Sequence, residues 1–242
     1  MAASPSALRT AARALAHAAA SFVYPSLCLG CDARLHRDAG RLPLCPACLR
    51  RLPRAGAEAV HARLARFPIP SPFETAFALW TFDAGGTVQR LQHALKYHDR
   101  LTLGVVLGRL IGQAFVELRP GERYDAVIPV PLAKVRRLER GYNQSTQLAL
   151  GMAEMLPGRP PVREELLRRA RPTRSQTSLS RPRRWANVEG AFVAPDPTAL
   201  SGRRALLVDD VLTTGATLTA AALPLRDAGA KVDLAVLALA SD

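Results

Sequence analysis

The run Ala205-Leu-Leu-Val-Asp-Asp-Val-Leu-Thr-Thr-Gly-Ala-Thr-Leu218 constrains this chain more than any other feature. Four apolar residues in succession predict a strand buried on both faces, as parallel sheets require. Two adjacent acids, Asp209 and Asp210, stand at its carboxyl end, the end where open α/β sheets bind ligands. The turn that follows, Thr213, Thr214, Gly215, Ala216 and Thr217, opens a helix. Backbone N–H groups at such a helix start suit a phosphate dianion, and threonine hydroxyls add donors. Gly215 permits close backbone approach. Two carboxylates beside a phosphate nest make sense where they accept hydrogen bonds from neighbouring sugar hydroxyls, with Mg²⁺ nearby to offset charge. Without a ligand, the same residues read as a helix N-cap with solvated acids.

The surrounding pattern agrees with an α/β domain. Residues 73–82 alternate aromatic and small side chains and predict a strand, Gly85-Gly86 a turn, and 87–98 a helix. A wide apolar face over 101–118 predicts a second helix. Residues 124–132 read as a strand running into prolines, and 141–156 as a helix. The polar stretch 167–188 has no apolar period. A last strand over 231–239 is apolar apart from Lys231 and Asp233. Strand and crossover helix in alternation predict a parallel sheet with helices on both faces.

Ahead of that domain stand all four cysteines of the chain, in two knuckles: Cys28-Leu-Gly-Cys31 and Cys45-Pro-Ala-Cys48. Two residues between thiols turn both sulfurs toward one ion, and four thiolates suit a closed tetrahedral Zn²⁺ site. Such a zinc is structural, because no ligand position is left for water. An iron–sulfur site and disulfides are the alternatives. Clustered thiols fit a reducing compartment, and hence a cytoplasmic location. Residues 1–23 read as a short helix with one apolar face, the alternative being an amphipathic transit peptide. The expected organisation is an N-terminal helix over 1–23, a zinc segment over 24–55, a proline-bearing linker over 56–72 and the α/β domain over 73–242.

Lys+Arg 33 against Asp+Glu 20 gives a net charge of +13. The excess favours an anionic partner: a phosphate ligand, nucleic acid or a membrane surface. Biased coding is the bland alternative, since only three of these cations are lysines. Between Lys134 and Arg184, 13 cations and four acids leave +9. A block of that kind closes over pyrophosphate, tracks a nucleic-acid backbone or is a solvated face. Arg136, Arg137, Arg181, Arg183 and Arg184 are its candidate contacts for single-stranded DNA, with Tyr142 and Trp185 as stacking candidates. No apolar run reaches the ~20 residues that a membrane span needs.

The 205–218 run resembles the 5-phosphoribosyl-1-pyrophosphate (PRPP) signature of the type I phosphoribosyltransferase superfamily. That resemblance implies ribose hydroxyls on Asp209 and Asp210, and a 5′-phosphate on Thr213, Thr214, Gly215, Ala216 and Thr217, with Mg²⁺ accompanying PRPP. Further runs narrow it. Ile128-Pro-Val-Pro-Leu132 leads to Arg136, Arg137, Arg140, Gly141, Tyr142, Asn143 and Gln144, followed later by Arg174, Gln176, Leu179, Arg183 and Asn187. With the four-cysteine segment and the LKYHDR run, this is similar to the ComF/GntX family, associated with DNA uptake in natural transformation. Family members often carry His-Pro after the PVPL run, where this chain has Ala133-Lys134.

Three functions are compatible with these features: a DNA-uptake or DNA-handling protein that binds PRPP, a transferase with an unidentified acceptor, and a non-catalytic PRPP sensor. DNA-uptake proteins are the expected protein partners of the first. Purine-type transferases commonly carry an acid three residues after the second acid of the signature, where Thr213 stands here. A transferase of this sequence is expected to rely on positioning and on electrostatic stabilisation of pyrophosphate, with Arg140 the candidate catalytic residue.

Overall fold

The computed structural model describes residues 27–35, 42–67, 69–96, 101–171 and 181–241, with backbone alone for 181–184. The expected helix over 1–23 lies outside them. The chain divides into two compact units, one ending at Arg51 and one beginning at Leu52.

In the first unit, an antiparallel bridge joins Leu27 to Arg34 around a tight turn. Cys28 N–H donates to the Ala33 carbonyl and Asp32 N–H to the Cys28 carbonyl, both at 2.9 Å. Helix α1 (Pro46–Arg50) starts on Cys45, whose sulfur accepts from the Cys48 N–H. Proline in the first turn suits a position whose N–H has no intrahelical partner.

The second unit is built on four parallel strands: β1 (Ala76–Phe82), β2 (Ala126–Pro129), β5 (Arg204–Leu212) and β6 (Lys231–Ala240), in the order β1-β6-β5-β2. A two-stranded antiparallel ribbon, β3 (Arg168–Arg169) and β4 (Phe192–Val193), stands apart. Leu206, Leu207 and Val208 are fully buried, as are 232–238 of β6, which matches the apolar runs, with Asp233 the one polar residue among them. The outer edge of β2 is partly covered by 161–163, where Val127 N–H donates to the Pro161 carbonyl and Arg163 N–H to the Val127 carbonyl.

Helices cover both faces. Helix α2 (Ala57–Ala65), α7 (Arg181–Val188) and α8 (Ala216–Asp227) share one core with the sheet. On the other face lie α4 (Leu101–Leu118) and α6 (Gln144–Met155). Helices α3 (Thr87–Ala94) and α5 (Lys134–Arg140) lie near the carboxyl ends of β1 and β2. Two elements depart from expectation. The stretch 56–72 carries α2, whose Val60 and Leu64 are buried in the core, because their four-residue spacing makes an apolar stripe between prolines. The unpatterned stretch 167–188 ends in α7, whose Val188 joins the same core with Trp185 packed against it.

By length and composition α4 is apolar enough to cross a membrane. In the fold its face of Leu103, Gly104, Leu107, Gly108, Ile111, Gly112 and Phe115 is buried. Glycines let α4 and α6 approach backbone to backbone. A Cβ on Gly108 would stand 2.1 Å from the Leu148 carbonyl oxygen, and one on Gly151 1.9 Å from that of Val105. Neither contact has a flexible side chain that is able to yield. Gly151→Ala is therefore expected to cost about 1–3 kcal/mol, lowering Tm by several degrees. Gly56→Ala, with open space around it, is the control. Thermal unfolding of both variants checks the contact, and an unchanged Tm for Gly151→Ala contradicts it.

Candidate phosphate and ribose site with a separate cysteine cluster

Strand β5 keeps its pairing with β6 as far as Leu212, while β2 ends at Pro129, opposite Val208. The strand thus runs past the two acids rather than stopping at them. Beyond Val208, β5 has lost one neighbour, and Asp209 and Asp210 lie in the opening. The Asn143–Ser145 corner fills it. Asn143 caps α6 by accepting from the Ser145 N–H, and its side-chain amide donates to the Val130 carbonyl at 3.0 Å. That capping sets Ser145 so that its hydroxyl donates to Asp209 Oδ1 at 2.7 Å. The same oxygen accepts the Asp210 N–H at 2.9 Å. Asp210 Oδ2 accepts from the Gln92 amide of α3 at 3.2 Å.

Burial, and then the neighbouring Asp210 charge, push Asp209 up to about 7, with Ser145, the Asp210 N–H and Arg169 pulling the other way. Cations gather around the pair. Lys96 is half-buried. Burial lowers its pKa, Asp210 opposes that, and Arg140 and Arg136 add to it. Arg169 on β3 is shifted down by burial against the pull of Asp209, and stacks over Phe192 at 5.1 Å. Arg140 donates to Gln144 Oε1 at 2.9 Å and sits just before Gly141, whose φ of 70° ends α5. Tyr142 donates its hydroxyl to the Leu95 carbonyl. On α5 every residue but Arg140 is exposed, including Arg136 and Arg137.

The loop after β5 opens α8. Gly215, at φ 87°, is its N-cap and offers no side-chain cap to the first-turn N–H groups. Thr214 Oγ1 is buried without a hydrogen-bond partner among the described residues. Gly215 and Ala216 are buried, and Thr213 is exposed. An uncapped helix start, an unmatched hydroxyl and adjacent carboxylates together offer donors to an anion and acceptors to hydroxyls. Arg174, Gln176 and Leu179 lie outside the described residues, as do the side chains of Arg181, Arg183 and Arg184. Trp185 packs edge-on against Phe67 at 5.0 Å rather than standing free for stacking.

Sequence reading did not single out Gln92, Lys96, Arg169, Ser145 or Arg63 as site residues. Lys96 lies inside the LKYHDR run and Ser145 directly follows Gln144, yet nothing in spacing alone points them at the acids. A cavity of 310 Å³ lies at the opposite end of the sheet. Its Arg163, Arg203 and Arg204 are engaged by Glu165, Asp125, and Glu122 with Asp233.

In the first unit, the sulfurs of Cys28, Cys31, Cys45 and Cys48 all lie within 4.8 Å of one another, a group able to hold a metal ion. Cys31 and Cys45 sulfurs are 3.8 Å apart, the separation expected from about 2.3 Å Zn–S bonds in a tetrahedron. Gly30 and Cys45 N–H groups donate to Cys28 Sγ, each at 3.3 Å. Burial works against ionising Cys28, yet the N–H groups of Cys45, Gly30 and Cys31 bring it down to about 6. Cys48 is pushed up to about 12 by hydrogen bonds to Cys31 and Cys45.

Residues 127–242 match the Phosphoribosyl transferase domain family. The second unit is thus a phosphoribosyltransferase-type α/β domain, with a parallel sheet flanked by helices. The chain is 30% identical over 224 residues to the DNA utilization protein YhgH of Escherichia coli strain K12, covering 87% of this chain and 95% of that one. It is 33% identical over 141 residues to the Competence protein F of Haemophilus influenzae, covering 55% and 59% respectively. The protein belongs to the ComF/GntX family. Among solved structures, a glutamine PRPP amidotransferase from B. subtilis matches with 22% identity and a TM-score of 0.37, over 55% of this chain and 26% of that one.

The acid pair carries a measurable consequence. Asp209 titrates from 3.8 when unfolded to about 7 when folded. A raised carboxyl means the folded chain holds the proton more tightly, so the linked stability is present at low pH and is lost as pH rises through about 7. Asp209→Asn removes the charge and keeps an oxygen for both donors. Its Tm advantage over the parent is expected to be larger at pH 8 than at pH 5. Equal differences at the two pH values contradict the assignment.

Proposed function

We propose that this chain binds PRPP with Mg²⁺ at the carboxyl edge of the sheet and acts in DNA uptake or handling. The observation that carries the reading is the convergence of three chemistries on one strand end. The uncapped start of α8, with Thr213, Thr214, Gly215, Ala216 and Thr217, suits the 5′-phosphate. Asp209 and Asp210 suit the ribose hydroxyls. Lys96, Arg136, Arg140 and Arg169 surround the acids with the positive charge that a pyrophosphate needs. Mg²⁺ supplies further charge neutralisation on the diphosphate when bound.

The DNA side of the proposal is supported by the names of the relatives, DNA utilization protein and Competence protein F. Exposed Arg136 and Arg137 on α5 fit a single-stranded phosphate backbone. Free thiols fit a reducing, cytoplasmic setting. Phosphoribosyl transfer to an unidentified acceptor is the second reading, favoured by the cations beside Asp210. In it Arg140 and its neighbours stabilise the departing pyrophosphate, since Thr213 supplies no carboxylate base. A chain that binds PRPP and never turns it over is a sensor.

Calorimetry with PRPP and Mg²⁺ tests the site. Replacing Asp209 and Asp210 together by Ala is expected to abolish binding while the chain stays folded, because both lie in the opening beyond β2. Equal affinity for parent and double variant refutes the role. For the cysteine cluster we propose one structural zinc per chain. Metal analysis of protein purified without added zinc should give one equivalent, and chelation should expose the first unit to proteolysis before the second. A metal-free chain with an intact first unit contradicts it.

A further inference from the structure

The loop that follows β5 is held from a helix outside the matched family region, in a stretch whose prolines read as a linker. On α2, Arg63 donates Nη1 to the carbonyl oxygen of Thr213 at 2.6 Å. The next residue, Leu64, is buried, and a Cβ on Gly215 would stand 3.2 Å from its Cδ2. Two consecutive residues of α2 thus touch the loop at positions 213 and 215, on either side of Thr214. The glycine is needed twice, for φ 87° and for the room that Leu64 takes.

A loop that offers N–H groups to an anion must turn its carbonyls elsewhere, since their lone pairs repel negative charge. The Thr213 carbonyl lies two residues before the Gly215 N-cap, where a rotated peptide would aim oxygen at the ligand. A guanidinium bonded to it fixes the peptide the other way and adds a positive charge beside the site. Thr214 Oγ1, between the two contacts, is a buried hydroxyl without a partner among the described residues, so a bound anion gives it one.

We propose that Arg63 is a positioning residue that clamps the 213–215 loop in its anion-accepting conformation, and that it serves the phosphate-monoester end of the ligand alone. The identity of that ligand rests on the reading above, whereas the clamp itself is a property of the protein without ligand. Arg63 bonds the loop at Thr213, whereas Lys96 and Arg169 act on the Asp210 and Asp209 charges, so the clamp is assigned to the monoester end.

The test compares the full-length parent with Arg63→Ala and Arg63→Lys in two measurements. Hydrogen exchange without ligand is expected to quicken at 213–217 in Arg63→Ala, with Tm unchanged because the arginine is partly exposed. Calorimetry is expected to show ribose 5-phosphate binding about tenfold weaker in Arg63→Ala, pyrophosphate binding within about twofold of the parent, and Arg63→Lys between parent and Ala for ribose 5-phosphate. Unchanged exchange at 213–217 overturns the clamp. An equal loss for ribose 5-phosphate and pyrophosphate overturns its restriction to the monoester end. Faster exchange in Arg63→Ala, with no ribose 5-phosphate binding even in the parent, supports the clamp and overturns the ligand reading instead.

Discussion

Strand β5 is hydrogen-bonded to β6 on one edge and to β2 on the other, and helices cover both of its faces. Inside such a strand an unpartnered charge is costly, and Leu206, Leu207 and Val208 carry no polar side-chain atom. Toward the carboxyl end charge enters where a neighbour is missing, whereas the buried Asp233 of β6 is held by Tyr124 and Arg204. Because β2 stops opposite Val208, the opening comes one residue later, at Asp209. The ends of β2 and β5, the start of α6 and the start of α8 then meet around that opening. The placement of the acid pair and of the 213–217 loop follows from one unequal pair of strand lengths.

Charge in the opening is balanced rather than neutral. Two carboxylates side by side would repel each other, and the protein responds in two ways. Ser145 and the Asp210 N–H direct donors at Asp209, while Gln92 serves Asp210. Burial still keeps Asp209 inclined to hold a proton near neutrality. The cations come from three segments, Lys96 after α3, Arg136 and Arg140 on α5 and Arg169 on β3, and burial weakens Lys96 and Arg169. Such a site suits a ligand that carries both hydroxyl donors and negative charge, since each satisfies a different half of it.

Much of this was legible from sequence, and the reasons differ by element. The strands 205–208 and 231–239 declare themselves through length and apolarity, and the acids and Thr-Thr-Gly-Ala-Thr through their fixed place after a buried strand. The four cysteines are legible because CxxC spacing is itself the geometry. Helix α2 was only partly legible: HARLARF over 61–67 allows a helical turn, but nine residues among prolines, only two of them buried, give a weak period. With it went Arg63, whose partner lies 150 residues away. Ser145, Gln92 and Lys96 were equally hidden, since their approach to the acids is a product of tertiary packing and leaves no local mark. Helix α7 was missed because its Arg-rich start masks the single stripe of Trp185 and Val188.

In the proposed function one site has two chemically distinct ends, a phosphate-monoester end at the start of α8 and a hydroxyl-accepting end at Asp209 and Asp210. Amide chemical-shift mapping of the isotope-labelled chain during titration with ribose 5-phosphate tests it most directly. The account predicts saturable shifts at 213–217 and at Asp209 and Asp210, with the 161–166 and 199–205 segments at the far end of the sheet unmoved. Shifts confined to that far end, or none at 213–217 under saturating ligand, would contradict it.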